Sequence, residues 1–305
     1  MKVVSFVSHK GGVGKTTNAY NVALALPYVA QPPEGRDFPR VLFIDLDETC
    51  DGTRLFLPDY DGSEEMCSEL GIKSLNDFFT APAERNALLS CIFEIADSGI
   101  FILPGSFRAL LDTDDNAGKY EILRQRLSLI AEDFEFCVID CPPARGYMQT
   151  IAMLASDVVV PCSDISHGGL TGVKNAFFDF NALKTRYPSM SGCVSDILVR
   201  SFPNTSSGAN EALSVYTKDR GVEWYETKLH EVFESVSIMY LRYDAPFISY
   251  LRENGLPVYA NPKKGLTLQY AGFVVELVEV YFGIPLRVPP FAPFANFYPQ
   301  ELLQK

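Results

Sequence analysis

The chain has 305 residues, 47% of them hydrophobic and 21% charged, enough for one sizeable core and unlike a disordered composition. No run of about 18 apolar residues occurs, so no membrane span is expected, and Met1 to Ser8 enters a strand-like pattern with none of the segments of a signal peptide. The net charge of −12 excludes a surface that is basic throughout and leaves a local patch as the electrostatic route to nucleic acid.

Short apolar runs alternate with helical patterns along the chain. This order predicts an α/β fold: a mostly parallel, twisted sheet flanked by helices on both faces. Strands are expected at Val3–Ser8, Val41–Asp45, Ile100–Leu103, Phe136–Asp140, Asp157–Pro161 and Asp196–Arg200. A helix over Thr16–Leu26 places Ala19, Val22, Ala23 and Leu26 on one face. Gln31 to Pro39, with three prolines, reads as a loop, and Asp59 to Glu65, acidic and polar, as a surface excursion. A last helix over Leu266–Tyr281 turns Leu268, Ala271, Val275 and Val278 inward. One domain is expected over residues 1–284, followed by an extension over 285–305 whose five prolines exclude a regular helix. The seven cysteines are odd in number and scattered, without a C-x-x-C pair, and read as reduced core thiols.

The first strand ends at His9-Lys10-Gly11-Gly12-Val13-Gly14-Lys15-Thr16-Thr17, with a helix beginning near Thr16. Glycines let the backbone curl so that successive N–H groups face phosphate oxygens, and the helix N-terminus adds positive potential. Lys15 is placed to reach β- and γ-phosphates, and the Thr16 hydroxyl to coordinate Mg²⁺. The usual G-x-x-x-x-G-K-[ST] pattern fails at its first position, because residue 9 is histidine, and a second lysine stands at Lys10. No N-K-x-D guanine signature and no Ser/His/Asp triad is found. Asp140 closes a hydrophobic strand, where a buried charge needs a partner, and is read as functional; Asp45 and Asp47 share that logic. Asp51 reads as a loop capping residue, and His9 as spectator or contact equally.

The K-G-G-V-G-K-T-T run resembles the deviant Walker A loop of the ParA/MinD family of P-loop ATPases. Val41-Leu42-Phe43-Ile44-Asp45-Leu46-Asp47 is similar to the family's second strand ending D-x-D, and Phe136 to Pro143 to its Walker B strand followed by D-x-P-P. Together these cover about the first 165 residues; Phe233 to Phe282 resembles the C-terminal segment more loosely. The resemblance implies that ATP and Mg²⁺ are bound by Gly11, Gly12, Val13, Gly14, Lys15, Thr16 and Thr17. It implies that Lys10 crosses a homodimer interface to the partner's nucleotide, and that Asp47 orients the attacking water. Asp45 would sit near Mg²⁺ or Thr16, Asp140 would hold a Mg²⁺-bound water, and Asn204 would contact adenine. Where the family usually has Pro-Gln after D-x-D, this chain has Glu48-Thr49-Cys50-Asp51.

The function implied is that of a ParA-type ATPase, nucleoid-associated in its ATP state. Its ATP dimer binds double-stranded DNA without sequence preference, and a ParB-like or cargo-adaptor protein stimulates hydrolysis. The candidate DNA contacts are Lys218, Arg220, Arg242, Arg252, Lys263 and Lys264. A MinD-type membrane-surface ATPase, a metallocluster reductase and a nucleotide-binding scaffold are the alternatives. The prolines and scarce cations of residues 286–305 oppose a membrane-lying amphipathic helix. Paired cluster cysteines are missing, and intact Lys10, Lys15, Thr16, Asp47 and Asp140 oppose an inert scaffold. Phe291, Phe294, Phe297 and Tyr298 form either a packing strap, the reading preferred, or a docking strip.

Overall fold

The computed structural model describes residues 1–95, 98–107, 120–164, 167–203, 237–243 and 265–290; for residues 167, 197–203, 237–243 and 265–269 it describes the backbone only. Among the described residues eight strands form one sheet: β1 (Lys2–Val7), β2 (Val41–Asp45), β3 (Phe93–Ile95), β4 (Ile100–Leu103), β5 (Phe136–Asp140), β6 (Val158–Asp164), β7 (Ile197–Pro203) and β8 (Ser237–Tyr243). Their order is β3-β4-β2-β5-β1-β6-β7-β8, and every pairing is parallel except β3 with β4.

The parallel strands are buried on both faces, so their residues alternate between two cores. Val4, Phe6, Phe43 and Val138 pack with α1 (Lys15–Val29) and the C-terminal helix Gly265–Glu276; Val3, Leu42, Ile44, Cys137 and Ile139 pack against helices on the opposite face. Those helices include α4 (Leu75–Thr80), α6 (Ile122–Leu129), α7 (Tyr147–Ala155) and α8 (His167–Arg186). Between β2 and β3 lie also α2 (Asp51–Arg54), α3 (Glu64–Leu70) and α5 (Arg85–Leu89). The C-terminal helix, α9, continues as a wider π-helical turn over Leu277–Tyr281. Ala271, Val275 and Val278 are buried, as expected from the periodicity, while the Leu268 side chain lies outside those described.

All six expected strands form, three of them at the expected bounds. Two strands are additional. β3 is a three-residue antiparallel edge, too short to carry a period, and β8 completes the other side of the described sheet. The expected surface excursion over Asp59 to Glu65 needs correction at Tyr60. That side chain is fully buried, and its hydroxyl donates to the Gly105 carbonyl at 2.7 Å. Asp51 is the first residue of α2, paired with Arg54, rather than its cap.

The start of the proline-rich segment lies on the body. Leu286 bridges to Ala30 and is buried, and Arg287 donates to the Asp37 carbonyl at 2.8 Å. The tail aromatics from Phe291 onward lie outside the described residues.

Candidate functional site

The strand order puts β2, β5 and β1 side by side, so their carboxyl ends open on one crevice. In open parallel sheets this is where ligands bind. The loop after β1 carries the glycine-rich run. Gly12 at φ 75° and Gly14 at φ 88° occupy left-handed backbone that a side chain would strain, and Gly14 opens α1. Gly14, the residue at the start of α1, has no side chain with which to cap the helix. A helix start without a side-chain cap leaves its first N–H groups as donors for an anion.

Lys15 is buried at 6% exposure, and its Nζ donates to the Lys10 carbonyl at 3.4 Å. The ammonium is thus folded back over the loop it serves. Asp140 ends β5 in register with Asp45 on β2 and with Phe6 on β1. Asp140 is fully buried, and among the described residues neither carboxylate oxygen accepts a hydrogen bond. Burial raises its pKa well above the carboxylate range and the Asp45 charge raises it further, against Thr16 and Lys15, which favour the charged form. A buried carboxylate that the Thr16 hydroxyl approaches without a full hydrogen bond, and that Lys15 favours in its charged form, fits a site completed by a hydrated divalent cation and phosphate.

Asp45 is equally buried but well furnished. Its Oδ2 accepts from Thr53 N at 2.7 Å and Thr53 Oγ1 at 2.9 Å, and its Oδ1 from Asp47 N at 3.1 Å. Burial nevertheless pushes its pKa up to about 6. Three bonds occupy most of a carboxylate's acceptor capacity. Asp47, 8% exposed, accepts from Thr49 N at 3.0 Å. Glu48 and Thr49, in the segment that departs from the family pattern, are exposed.

Lys10 is ion-paired with Asp164 at the end of β6. His9 Nε2 lies 3.3 Å from Asp179 Oδ2 on α8, and Asp179 also binds Arg145 at 2.5 Å. Burial lowers the His9 pKa below 6.5, with Asp179 opposing. Gln149 on α7 donates to the Ser8 carbonyl at 2.9 Å and the Pro142 carbonyl at 3.0 Å, tying the loop's base to the segment after β5. Asp164, Asp179, Gln149 and Thr53 escape sequence reasoning, because each reaches the site from a separate element with no motif around it. Cys141, adjacent to Asp140, is a buried thiol whose pKa burial raises.

Asn204, Lys218, Arg220, Arg252, Lys263 and Lys264 lie outside the described residues. Arg242 falls within β8, and only its backbone is described.

A phosphate loop, a strand-end aspartate and a lysine-bearing helix start, on a parallel sheet, define a P-loop nucleotide-binding protein. A family whose model is described as "AAA domain" matches residues 1–190. With its second loop lysine, the chain belongs to the ParA/MinD family of P-loop ATPases.

It is 25% identical over 180 residues to the sporulation initiation inhibitor protein Soj of Bacillus subtilis (strain 168), a match covering 57% of this chain and 64% of Soj. It is 24% identical over 220 residues to the chromosome-partitioning ATPase Soj of Treponema pallidum (strain Nichols), covering 70% of this chain and 68% of that protein. The ATP complex of a Cyanothece McdA variant superposes with a TM-score of 0.70 at 17% identity, covering 94% of this chain and 98% of that one, a likeness of fold.

Proposed function

We propose that this chain is a ParA-type positioning ATPase. Mg-ATP closes a homodimer, the dimer binds double-stranded DNA without sequence preference, and a partner protein stimulates hydrolysis to segregate or position a plasmid, chromosome or other cargo. The observation that carries this reading is the convergence of Lys10, Lys15, Thr16, Asp47 and Asp140 on the ends of three adjacent strands.

In this reading the loop N–H groups and Lys15 hold the phosphates, while Thr16 and Asp140 hold the cation. Mg²⁺, when bound, neutralises charge on the β- and γ-phosphate oxygens. Asp47 orients the attacking water, and Asp45 supports it from behind. Lys10 leaves Asp164 and reaches the partner's nucleotide, where a cation stabilises charge developing on the γ-phosphoryl group. Catalysis is then positioning and electrostatics, with no covalent intermediate. The similarity to the chromosome-partitioning ATPase of Treponema supports the cargo class. Lys218, Arg220, Arg242, Arg252, Lys263 and Lys264 are the cations proposed to meet DNA phosphates, doubled by the dimer. Among the described residues no helix is long and apolar enough to cross a membrane.

The test has two arms. Calorimetry of Lys15→Ala with Mg-ATP is expected to show affinity reduced about 10- to 100-fold, as for loss of a hydrogen bond to a charged group; wild-type affinity ends the reading. A mobility shift of the Asp47→Ala protein on two unrelated duplexes is expected only with ATP, weakening steeply with salt. No shift at low salt leaves a protein-only scaffold, and ATP-dependent sedimentation with anionic vesicles a membrane-surface ATPase.

A further inference from the structure

Asp47 is attached to the fold through a chain of buried hydrogen bonds rather than by its own side chain alone. Its backbone N–H donates to Asp45 Oδ1 at 3.1 Å. The other oxygen of Asp45 is gripped twice by Thr53, through the backbone N–H at 2.7 Å and the hydroxyl at 2.9 Å. The Thr53 hydroxyl in turn accepts from Gly105 N at 2.9 Å. Its one proton is therefore aimed at Asp45, because a lone pair faces Gly105. Gly105 is itself fixed, its carbonyl accepting from the Tyr60 hydroxyl at 2.7 Å.

The cage around Asp45 is closed by absence of side chains. A Cβ on Gly52 would lie 3.1 Å from the Asp45 carboxyl carbon, and one on Gly105 would lie 3.2 Å from it. Thr53 has no solvent exposure, so its bonds do not compete with water. A rotation of the Asp45 carboxylate would break contacts on both of its oxygens at once. It would also release the turn that carries Asp47, whose carbonyl accepts from Cys50 N at 2.9 Å.

We propose that Thr53 is a positioning residue for hydrolysis: acting through Asp45, it holds Asp47 at the angle that aims the attacking water. This rests on the ATPase reading above for the reaction, while the contacts that join Thr53, Asp45 and Asp47 lie within the chain itself. A carboxylate that must orient water needs placement to a fraction of an ångström, and small misplacements lower the rate without touching substrate affinity.

The experiment compares Thr53→Val, Thr53→Ser and Tyr60→Phe. Affinity for a fluorescent ATP analogue with Mg²⁺ is expected to stay within about twofold of wild type in all three, while turnover falls about tenfold or more in Thr53→Val. Thr53→Ser, which keeps the hydroxyl, is expected to restore turnover. Tyr60→Phe, which loosens Gly105 from a distance, is expected to lower it by a smaller factor and decides the matter if Thr53→Val does not fold. Undiminished turnover in Thr53→Val, or in Tyr60→Phe where it must stand in, overturns the proposal, as does a loss that Thr53→Ser fails to rescue. A ligand-free crystal structure of Thr53→Val, or of Tyr60→Phe in its place, separates this from the broader reading. A shifted Asp45–Asp47 contact supports the proposal, and an unchanged one overturns it. Failure of the wild-type protein to bind Mg-ATP ends the ATPase reading, and with it the proposed role in hydrolysis.

Discussion

Lys10 and Asp164 form an ion pair within one chain, joining the loop after β1 to the end of β6. Both side chains are about one-third exposed, 33% and 31%, so the pair is worth no more than about 1 kcal/mol. If Lys10 acts across a dimer, Asp164 competes with the partner's nucleotide for the same ammonium. Asp164→Asn is expected to lower the ATP concentration needed for dimerisation by up to roughly fivefold, the equivalent of that energy. Light scattering over an ATP titration reads the shift, and a midpoint that does not move, or rises, rejects the competition.

Asp47→Ala separates binding from turnover. Among the described residues the side chain accepts one hydrogen bond, from Thr49 N, and the loop's phosphate-facing groups do not depend on it. Mg-ATP affinity is expected to remain near wild type while hydrolysis falls by about 10²-fold, the scale of losing a group that positions the reactant. The protein should then accumulate as an ATP dimer, whereas Lys10→Ala should bind nucleotide and stay monomeric. Single-turnover assays and sizing with ATP distinguish the two variants.

His9 sets a pH dependence whose sign follows from its surroundings. Burial lowers its pKa from 6.5, while Asp179 raises it, Arg145 lowers it and Gln149 raises it, with burial the largest influence. Below pH 6.5 the unfolded chain takes up this proton more readily than the folded one, so folding stability falls as pH drops through that value. Urea unfolding between pH 7.5 and pH 5.5, roughly one unit either side of the free imidazole, should show the decline, and His9→Gln should flatten it. An equal slope in both proteins would assign the effect to other groups.

Arg126 tests stability away from the crevice. Its guanidinium, buried under α4, donates to the carbonyls of Phe78 at 2.8 Å, Phe79 at 2.8 Å and Ala81 at 3.0 Å. These are the orphan acceptors of a helix end, met here by one planar fork. Arg126→Ala is expected to destabilise by about 2–4 kcal/mol, since it strands several buried carbonyls together. Arg126→Lys should recover only part, because an ammonium cannot span all three. Chemical denaturation provides the comparison, and a loss below about 0.5 kcal/mol would show that water replaces the fork.

The phosphate loop was legible because its chemistry is local: Gly12 and Gly14 supply backbone that other residues avoid, and Lys15 and Thr16 follow within the same turn of α1. The central strands were legible because residues such as Val41 to Asp45 are buried without interruption. The pairings were not. Thr53 meets Asp45 across a turn, and Asp164 meets Lys10 from a strand 154 residues away in sequence. No periodicity encodes such contacts; they arise only once β1, β2, β5 and β6 are neighbours. Tyr60 misled because its polar flanks, Asp59 and Asp61, do sit in solvent while the ring between them fills the space under Gly105.

All seven cysteines are buried, and they are spread over the molecule. Cys50 and Cys67 lie near α2 and α3, Cys91 follows α5, Cys137 and Cys141 flank Asp140, Cys162 lies in β6, and Cys193 precedes β7. Burial raises the pKa of each of these thiols. An alkylating reagent therefore meets no reactive thiolate in the closed protein and labels a site only when that neighbourhood opens. The chain carries a set of intrinsic reporters, so timed alkylation read by mass spectrometry maps regional opening without added probes. Nucleotide should slow modification first at Cys141 and Cys162, whose surroundings include Lys15.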